Sequence, residues 1–557
     1  MSTKIEKESL GILYIRWSDE DSKVCAQCGS PIEYLYNDGG RIVITLQGRI
    51  RLYTCYYSCS NPTCTFSDPF TLPQEIVLPY KHYGLDVWHW VITSHVEFHD
   101  AYESIANRLK AHYGLEVSPN TVKAIIETYL IASSQEADQK TLQLVQESGR
   151  IYVALDGQRP NNGESGLWLF IDTITNRILH LEYLKSATWE VLKEIFVKIE
   201  AKYGVPIEAV ISDHQASIIK AVKEFSPTIP HQFCHYHFLK NLHRTVDALD
   251  SHLHVKLSEA IHQLYICHLQ PLAKPLIVQG RELDRRKWVA PIVNDLTQML
   301  GERTHDFDIF AGFNIYQKLS QYLEVLKELS QETLPVEQLH SLVKRTTIDL
   351  KKALKEQAPL VQKLKMLLPL FHAVREILGS TPAPKSQMKQ AVTQWRNRLK
   401  QLYQTLTGHQ VPRNLKSQRV SVNTPLEEIV AEWIRLYSTH QQGLFHFLKI
   451  PKLPRSNVAL EKMYSLEMHH FRMTSGRAQV GNIVRVKGGE LCIVQQNYSP
   501  NLIDQVLLRQ DRDQIKAGIA QFRERHRLQS AAWHTQQLGT PRIHQLIKET
   551  HDFLSNP

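Results

Sequence analysis

The chain lacks any long apolar run. Nowhere in its 557 residues is there a stretch approaching the roughly 18 uninterrupted apolar residues that a membrane helix needs, and the charged start from Met1 to Leu10 has no signal core. The expectation is a protein without membrane contact. Cysteine is scarce too. Eight thiols cannot staple a chain this long, which excludes the disulfide-scaffold class, and five of them fall between Cys25 and Cys64, a crowding that points to metal binding in a reducing compartment. Internal repeats and low-complexity segments are absent, so solenoid and fibrous architectures are excluded. Strong net charge is missing as well: +9 permits nucleic-acid binding without demanding it. What is present is an ordinary globular composition, 43% hydrophobic and 22% charged, in a chain long enough for three or four domains.

Pattern along the chain predicts a multidomain α/β plus α protein. Residues 1–75 read as short strands, such as Arg41 to Leu46 and Arg51 to Tyr57, around the cysteine cluster. Residues 76–145 turn helical: Ile105, Leu109 and Tyr113 share helical spacing, Gly114 breaks the run, and Ser118-Pro119 opens a second helix through Tyr129. Residues 146–238 are α/β, with β-rich runs Ile151 to Leu155, Leu167 to Ile171 and Ile178 to Leu184, a helix from Thr188 to Tyr203, and a strand Ile207 to Ile211. Residues 239–453 form a long helical stretch with loop signals at Gly379 to Pro384 and Thr405 to Thr424. After a helix in 454–480, the tail 481–557 begins with Ile483 to Val494, whose Gly488-Gly489 pair predicts a hairpin.

Cys25-x2-Cys28 and Cys59-x4-Cys64 are two thiolate pairs at ligand spacing, and four thiolates suit a closed, tetrahedral structural zinc. Cys55 is a spare, and a Cys55-x3-Cys59 pairing stays open. Glu103 to Leu130 fits a helix-turn-helix whose second helix would present Pro119, Asn120 and Lys123 to base edges. The span Lys81 to Leu130 holds four basic and six acidic residues, so two packed core helices explain it about as well. The strongest positive segment is Ile377 to Leu426, with Lys385, Lys389, Arg396, Arg398, Lys400, Arg413, Lys416 and Arg419, no acid, and Trp395 and Tyr403 interleaved. That suits a phosphate backbone, and a solvated basic helix is the plainer alternative.

Two aspartates each follow an apolar strand: Tyr-Val-Ala-Leu-Asp156-Gly and Ala-Val-Ile-Ser-Asp213-His. Functional groups of α/β sheets gather outside the carboxyl ends of strands, so the pair would converge if those strands are neighbours. Hard divalent ions take carboxylate oxygens, and two of them clamp the attacking and leaving oxygens of an in-line phosphoryl displacement. A single strand-end aspartate is also a common turn residue.

Asp156, the Ile-Ser-Asp213-His run and Phe233-Cys234-His235-Tyr236-His237 together resemble the DDE transposases of the mutator-like and related bacterial insertion-sequence groups. There a Cys-x2-His motif follows the second aspartate at about this distance, and Cys234-x2-His237 matches it. Arg455-Ser-Asn457-Val-Ala-Leu-Glu461, with Arg472 and Ser475-Gly476-Arg477 beyond, resembles the last motif of the group, in which an Asn and the third metal-binding carboxylate share a helix. Asn457 and Glu461 are four apart and lie on one helical face; Glu467, the rival acid, lies six from Glu461 and is turned away.

The resemblance implies an RNase H-like catalytic core interrupted by the helical stretch, preceded by the zinc module and helix-turn-helix. It implies that Asp156, Asp213 and Glu461 hold two Mg2+ or Mn2+ ions, that Cys234 and His237 shape the core beside them, and that Zn2+ is structural. His235 reads as a packing or surface histidine, and Cys267 and Cys492 as buried hydrophobes. The implied activity is cleavage and transfer of DNA strands at terminal inverted repeats, by a homodimer or larger assembly on double-stranded DNA, with Arg472 and Arg477 among the DNA contacts. The implied location is a bacterial cytoplasm, at the nucleoid. A domesticated, inactive DNA-binding relative and a structure-specific nuclease are the competing readings.

Overall fold

The computed structural model describes residues 11–537 apart from 16–23, 26, 72–73, 159–165, 185, 265–275, 279–280, 284–297, 299–309, 332–336, 380–384, 413, 418–419 and 479. The chain is mixed α/β and mostly helical. Its first sheet comprises β1 (Gly11–Ile15), β2 (Ile32–Asn37), β3 (Arg41–Thr45), β4 (Gly48–Cys59) and β5 (Phe70–Thr71). The long β4 is the spine, with β1 parallel to it and the other three antiparallel.

Helices α1 (Leu85–Val96), α2 (Tyr102–Tyr113) and α3 (Pro119–Ser148) follow. Gly114 ends α2 at φ 66°, a left-handed turn that suits glycine, and its N–H bonds the carbonyls of Leu109 and Lys110. Ser118 caps α3 by accepting from Thr121 N at 3.1 Å, with Pro119 in the first turn. The helix does not stop near Tyr129. Ile131, Ala137 and Val145 remain buried along it, so packing carries it on to Ser148.

The second sheet is built from β6 (Ile151–Gln158), β7 (Gly166–Asp172), β8 (Arg177–Leu184), β9 (Ile207–Ser212) and β10 (His231–Phe233), in the order β10-β9-β6-β7-β8. Helix α4 (Trp189–Tyr203) precedes β9 and α5 (Ala216–Phe225) follows it. Strands β6, β7 and β8 are antiparallel. Ile151 N donates to Pro206 O at 3.0 Å, so β6 and β9 start side by side and run the same way. Every residue of β7 is buried, as its unbroken apolar run requires.

Helix α6 (His235–Leu264) leads to α7 (Ala311–Gln331), α8 (Glu337–Gly379), α9 (Lys385–Thr407) and α10 (Leu426–His440). The expected helical stretch also contains a short antiparallel pair, β11 (Leu276–Val278) and β12 (Arg281–Leu283). One apolar core joins Leu249 and Leu253 of α6, Leu319 of α7, Phe371 of α8, Trp395 of α9 and Trp433 of α10. The buried Asp250 accepts from Gly312 N and Phe313 N, satisfying two orphan N–H groups at the start of α7.

The chain ends in α11 (Val458–Ser475), α12 (Gly481–Asn497), α13 (Ile503–Leu508) and α14 (Arg512–Gln537). Helix α12 corrects the expected hairpin over Ile483 to Val494. Gly488 and Gly489 are helical, and they are small because neighbours press on them: a Cβ on Gly488 would collide with Glu467 Oε1 of α11, and one on Gly489 would lie 2.7 Å from Leu181 of β8. By contact the chain divides into two units, one of Met1–Val210, Lys220–Ile229 and Asn457–Pro557, the other of Ile211–Ile219 and Pro230–Ser456.

Candidate functional site

Four cysteines meet in the first sheet. Gly29 N bonds Cys25 O and Cys25 N bonds Ser30 O, a tight knuckle that turns Cys25 and Cys28 toward the same point. Cys59 ends β4, and Cys64 N folds back on Asn61 O. The Cys25 and Cys64 Sγ atoms are 3.6 Å apart, those of Cys28 and Cys59 3.5 Å, and all four lie within 4.8 Å of one another. A tetrahedral zinc with bonds of about 2.3 Å needs sulfur edges of about 3.8 Å, so the four thiols can hold a metal such as zinc. Hydrogen bonds from Ser30 hold Cys28 down to about 6, whereas Cys59, against the Asn61 N–H, is pushed up to about 12 by burial and the other thiols. Without a cation the cluster resists full ionisation. Cys55 is not part of it: its thiol donates to Asn37 Oδ1 at 3.0 Å, since four residues along a strand carry it about 13 Å from Cys59.

Within the first unit a second constellation forms where α11 meets β6. Asn457, at the N-terminus of α11 and almost fully buried, reaches Leu155 O at 3.4 Å. One turn on, Glu461 brings a carboxylate oxygen within 4.8 Å of one from Asp156. A further turn on, the Tyr464 hydroxyl lies 2.8 Å from Asp156 O and 3.1 Å from Leu167 O. The i, i+4, i+7 spacing puts all three on one helical face, so two flanking contacts to β6 fix the Glu461 side chain opposite Asp156. Asp156 Oδ1 also accepts from Gly157 N at 2.8 Å. Two hard oxygens so close suit a divalent cation. Tyr464 escaped sequence reasoning, although its spacing from Asn457 and Glu461 was the available signal.

Glu467 sits elsewhere. Fully buried against Gly488 and the Cys492 thiol, its carboxyl is pushed up to about 8 by desolvation. Asp172 is a further strand-end aspartate with a structural occupation. It accepts from Tyr152 N at 3.0 Å, Thr175 N at 2.9 Å and Thr175 Oγ1 at 2.6 Å, closing the β7–β8 turn.

In the second unit Asp213 is half-buried and directly follows the last residue of β9. Ser212 O accepts from Cys234 N at 2.8 Å, and Cys234 is buried where α6 begins. His237 lies in the first turn of α6, half-buried. His235 is a packing histidine, buried, with Nε2 2.7 Å from Leu444 O.

Of the proposed DNA contacts, Pro119 and Asn120 are exposed in the first turn of α3, and Lys123 is 43% exposed, 3.9 Å from Glu127. Arg472 and Arg477 are exposed at the end of α11 and just beyond it. In the basic segment Lys389, Arg398 and Lys416 are exposed, while Arg396 and Lys400 are half-buried. Lys385 begins α9, and Arg413 and Arg419 lie outside the described residues, as does Cys267. Trp395, interleaved in the basic segment, is a core residue: it is 2% exposed, and its Nε1 donates to Leu370 O at 2.8 Å. Among the described residues no helix is long and apolar enough to cross a membrane. No protein-family model matches the chain, and no curated protein matches it.

Proposed function

We propose that the chain is a DDE-type DNA transposase with an RNase H-like core, which cuts and joins strands at the ends of its element. The observation that carries this reading is the approach of the Asp156 and Glu461 carboxylates, residues from distant parts of the sequence and both within motifs that resemble the transposase pattern. Asp213 is the third member, and Asp156, Asp213 and Glu461 would hold Mg2+ or Mn2+. Bound there, a pair of such ions supplies charge neutralisation for in-line displacement at phosphorus. The chain's own contribution is positioning: Asn457 and Tyr464 anchor α11 to β6, so that Glu461 faces Asp156 without reorganisation. The zinc-type module and the α2–α3 pair would recognise the element's double-stranded ends, and the basic segment around α9 would hold flanking or target DNA. Joining two ends together calls for a dimer or larger assembly, and DNA as substrate places the protein at the bacterial nucleoid.

The test is strand cleavage and joining on labelled DNA carrying the ends that flank this gene, with Mg2+ or Mn2+, comparing wild type with Asp156→Ala, Asp213→Ala and Glu461→Ala. Joined products from wild type alone are expected. Binding without cutting in wild type would replace the proposal with a domesticated DNA-binding protein, and cutting without joining would replace it with a nuclease.

A further inference from the structure

Within the first unit, α3, α11, α12 and α14, with the end of α1 and the start of α2, line an open cavity of about 890 Å3, within the size range of ligand sites. Its floor is apolar, with Phe471 and Phe522 both buried. Lys487 also lines it, 13% exposed at its side chain, bonded to Glu127 at 2.6 Å and to the Tyr102 hydroxyl at 3.1 Å. That ion pair matters for the charge of the cavity. Glu127 is the one acid among the lining residues, and Lys487 already neutralises it, so Lys123, at 3.9 Å, gains little compensation from it. Arg477 and Arg523 line the cavity as exposed residues and make no salt bridge among the described residues. The lining thus carries an excess of three cations: Lys123, Arg477 and Arg523. The N-terminal turn of α3 adds its own partial positive charge beside them.

We infer that this cavity binds a phosphodiester segment of DNA, with Lys123, Arg477 and Arg523 on the phosphates and the aromatic floor under the sugar and base. The inference rests on the DNA-directed reading above and deepens it by assigning a place where the backbone is gripped. It brings in Arg523 of α14, which no sequence motif marks, and it makes the first turn of α3 one wall of a cleft.

The experiment is a fluorescence-anisotropy titration of the full chain with a labelled random-sequence duplex, repeated from about 50 to 200 mM salt, since each phosphate contact adds about 0.9 to the salt slope. The triple variant Lys123→Ala/Arg477→Ala/Arg523→Ala is expected to lower that slope by about 2.7 and to weaken binding at least tenfold at the low-salt end. Lys198→Ala, an exposed lysine on α4 outside the cavity, is expected to change neither. Because all three cavity substitutions are at solvent-accessible positions, an unchanged circular dichroism spectrum is expected to accompany the loss. Wild type that binds duplex while the triple variant keeps the same slope and affinity would overturn the cavity assignment and leave the DNA reading standing. Wild type that fails to bind duplex even at low salt would overturn both.

Discussion

Gly488→Ala offers a test in which two physical effects have opposite signs. In an ordinary helix interior alanine is more stable than glycine by about 1 kcal/mol. At Gly488 the new methyl falls onto Glu467 Oε1, with Val484 Cγ1 at 3.0 Å and Glu467 Cδ at 3.4 Å. Glu467 is fully buried on a helix whose first turns are anchored to β6, so its carboxyl has little room to withdraw. Overpacking of this kind costs about 1–3 kcal/mol, which at least offsets the propensity gain of about 1 kcal/mol and leaves a net loss of up to about 2 kcal/mol. Urea denaturation followed by circular dichroism reads it, and a double-mutant cycle isolates it. Removing the carboxylate with Glu467→Ala opens the space, so Gly488→Ala in that background is expected to be neutral or stabilising, with a coupling of about 1–3 kcal/mol. A stabilising Gly488→Ala in the native background, or a cycle that closes with no coupling, would refute the packing argument.

Purified protein is expected to carry one zinc per chain by atomic spectrometry, lost in Cys28→Ser and Cys59→Ser but retained in Cys55→Ser; zinc retained in all three would sink the four-thiolate assignment. Asp172→Ala strips Tyr152 N, Ile174 N, Thr175 N and Thr175 Oγ1 of their acceptor and is expected to cost about 3 kcal/mol, measured by the urea midpoint, with an unchanged midpoint as the contrary result. Buried His95 and His470 have their pKa values lowered by desolvation, His95 to about 4. Their unfolded forms bind protons first, so stability is full above about 6.5 and declines as pH falls from there toward 4, by up to about 1.4 kcal/mol per pH unit for each. His95→Gln should flatten that decline, and a slope equal to wild type in chemical unfolding between pH 7 and 4 would count against it.

Local signals proved legible where one principle dominated. Strands β6, β7, β8 and β9 of the second sheet followed from apolar runs while the three-residue β10 did not, α3 began where Ser118 and Pro119 said it would, and the four cysteines came together at ligand spacing. The Gly488-Gly489 pair misled because glycine marks turns and close approaches alike, and only the buried Glu467 and Leu181 reveal which demand is operating. Asp156, Asp172 and Asp213 each follow an apolar run, Asp156 inside β6, Asp172 as the last residue of β7 and Asp213 just past β9. What separates Asp156 from Asp172 is long-range: one faces Glu461, whereas the other has its oxygens bound by donors of its own turn and by Tyr152 N of β6. The position of Glu461 depended on contacts to β6 by Asn457 and Tyr464, which no local pattern in the α11 sequence fixes.

Whether Asp156 and Glu461 share a divalent cation is read most directly from Mn2+ binding by the zinc-loaded full chain, measured by electron paramagnetic resonance. Saturable Mn2+ binding in wild type and in Glu467→Gln, with at least a tenfold loss of affinity in Asp156→Asn and in Glu461→Gln, is the predicted result. Equal Mn2+ affinity in wild type and Glu461→Gln would contradict it.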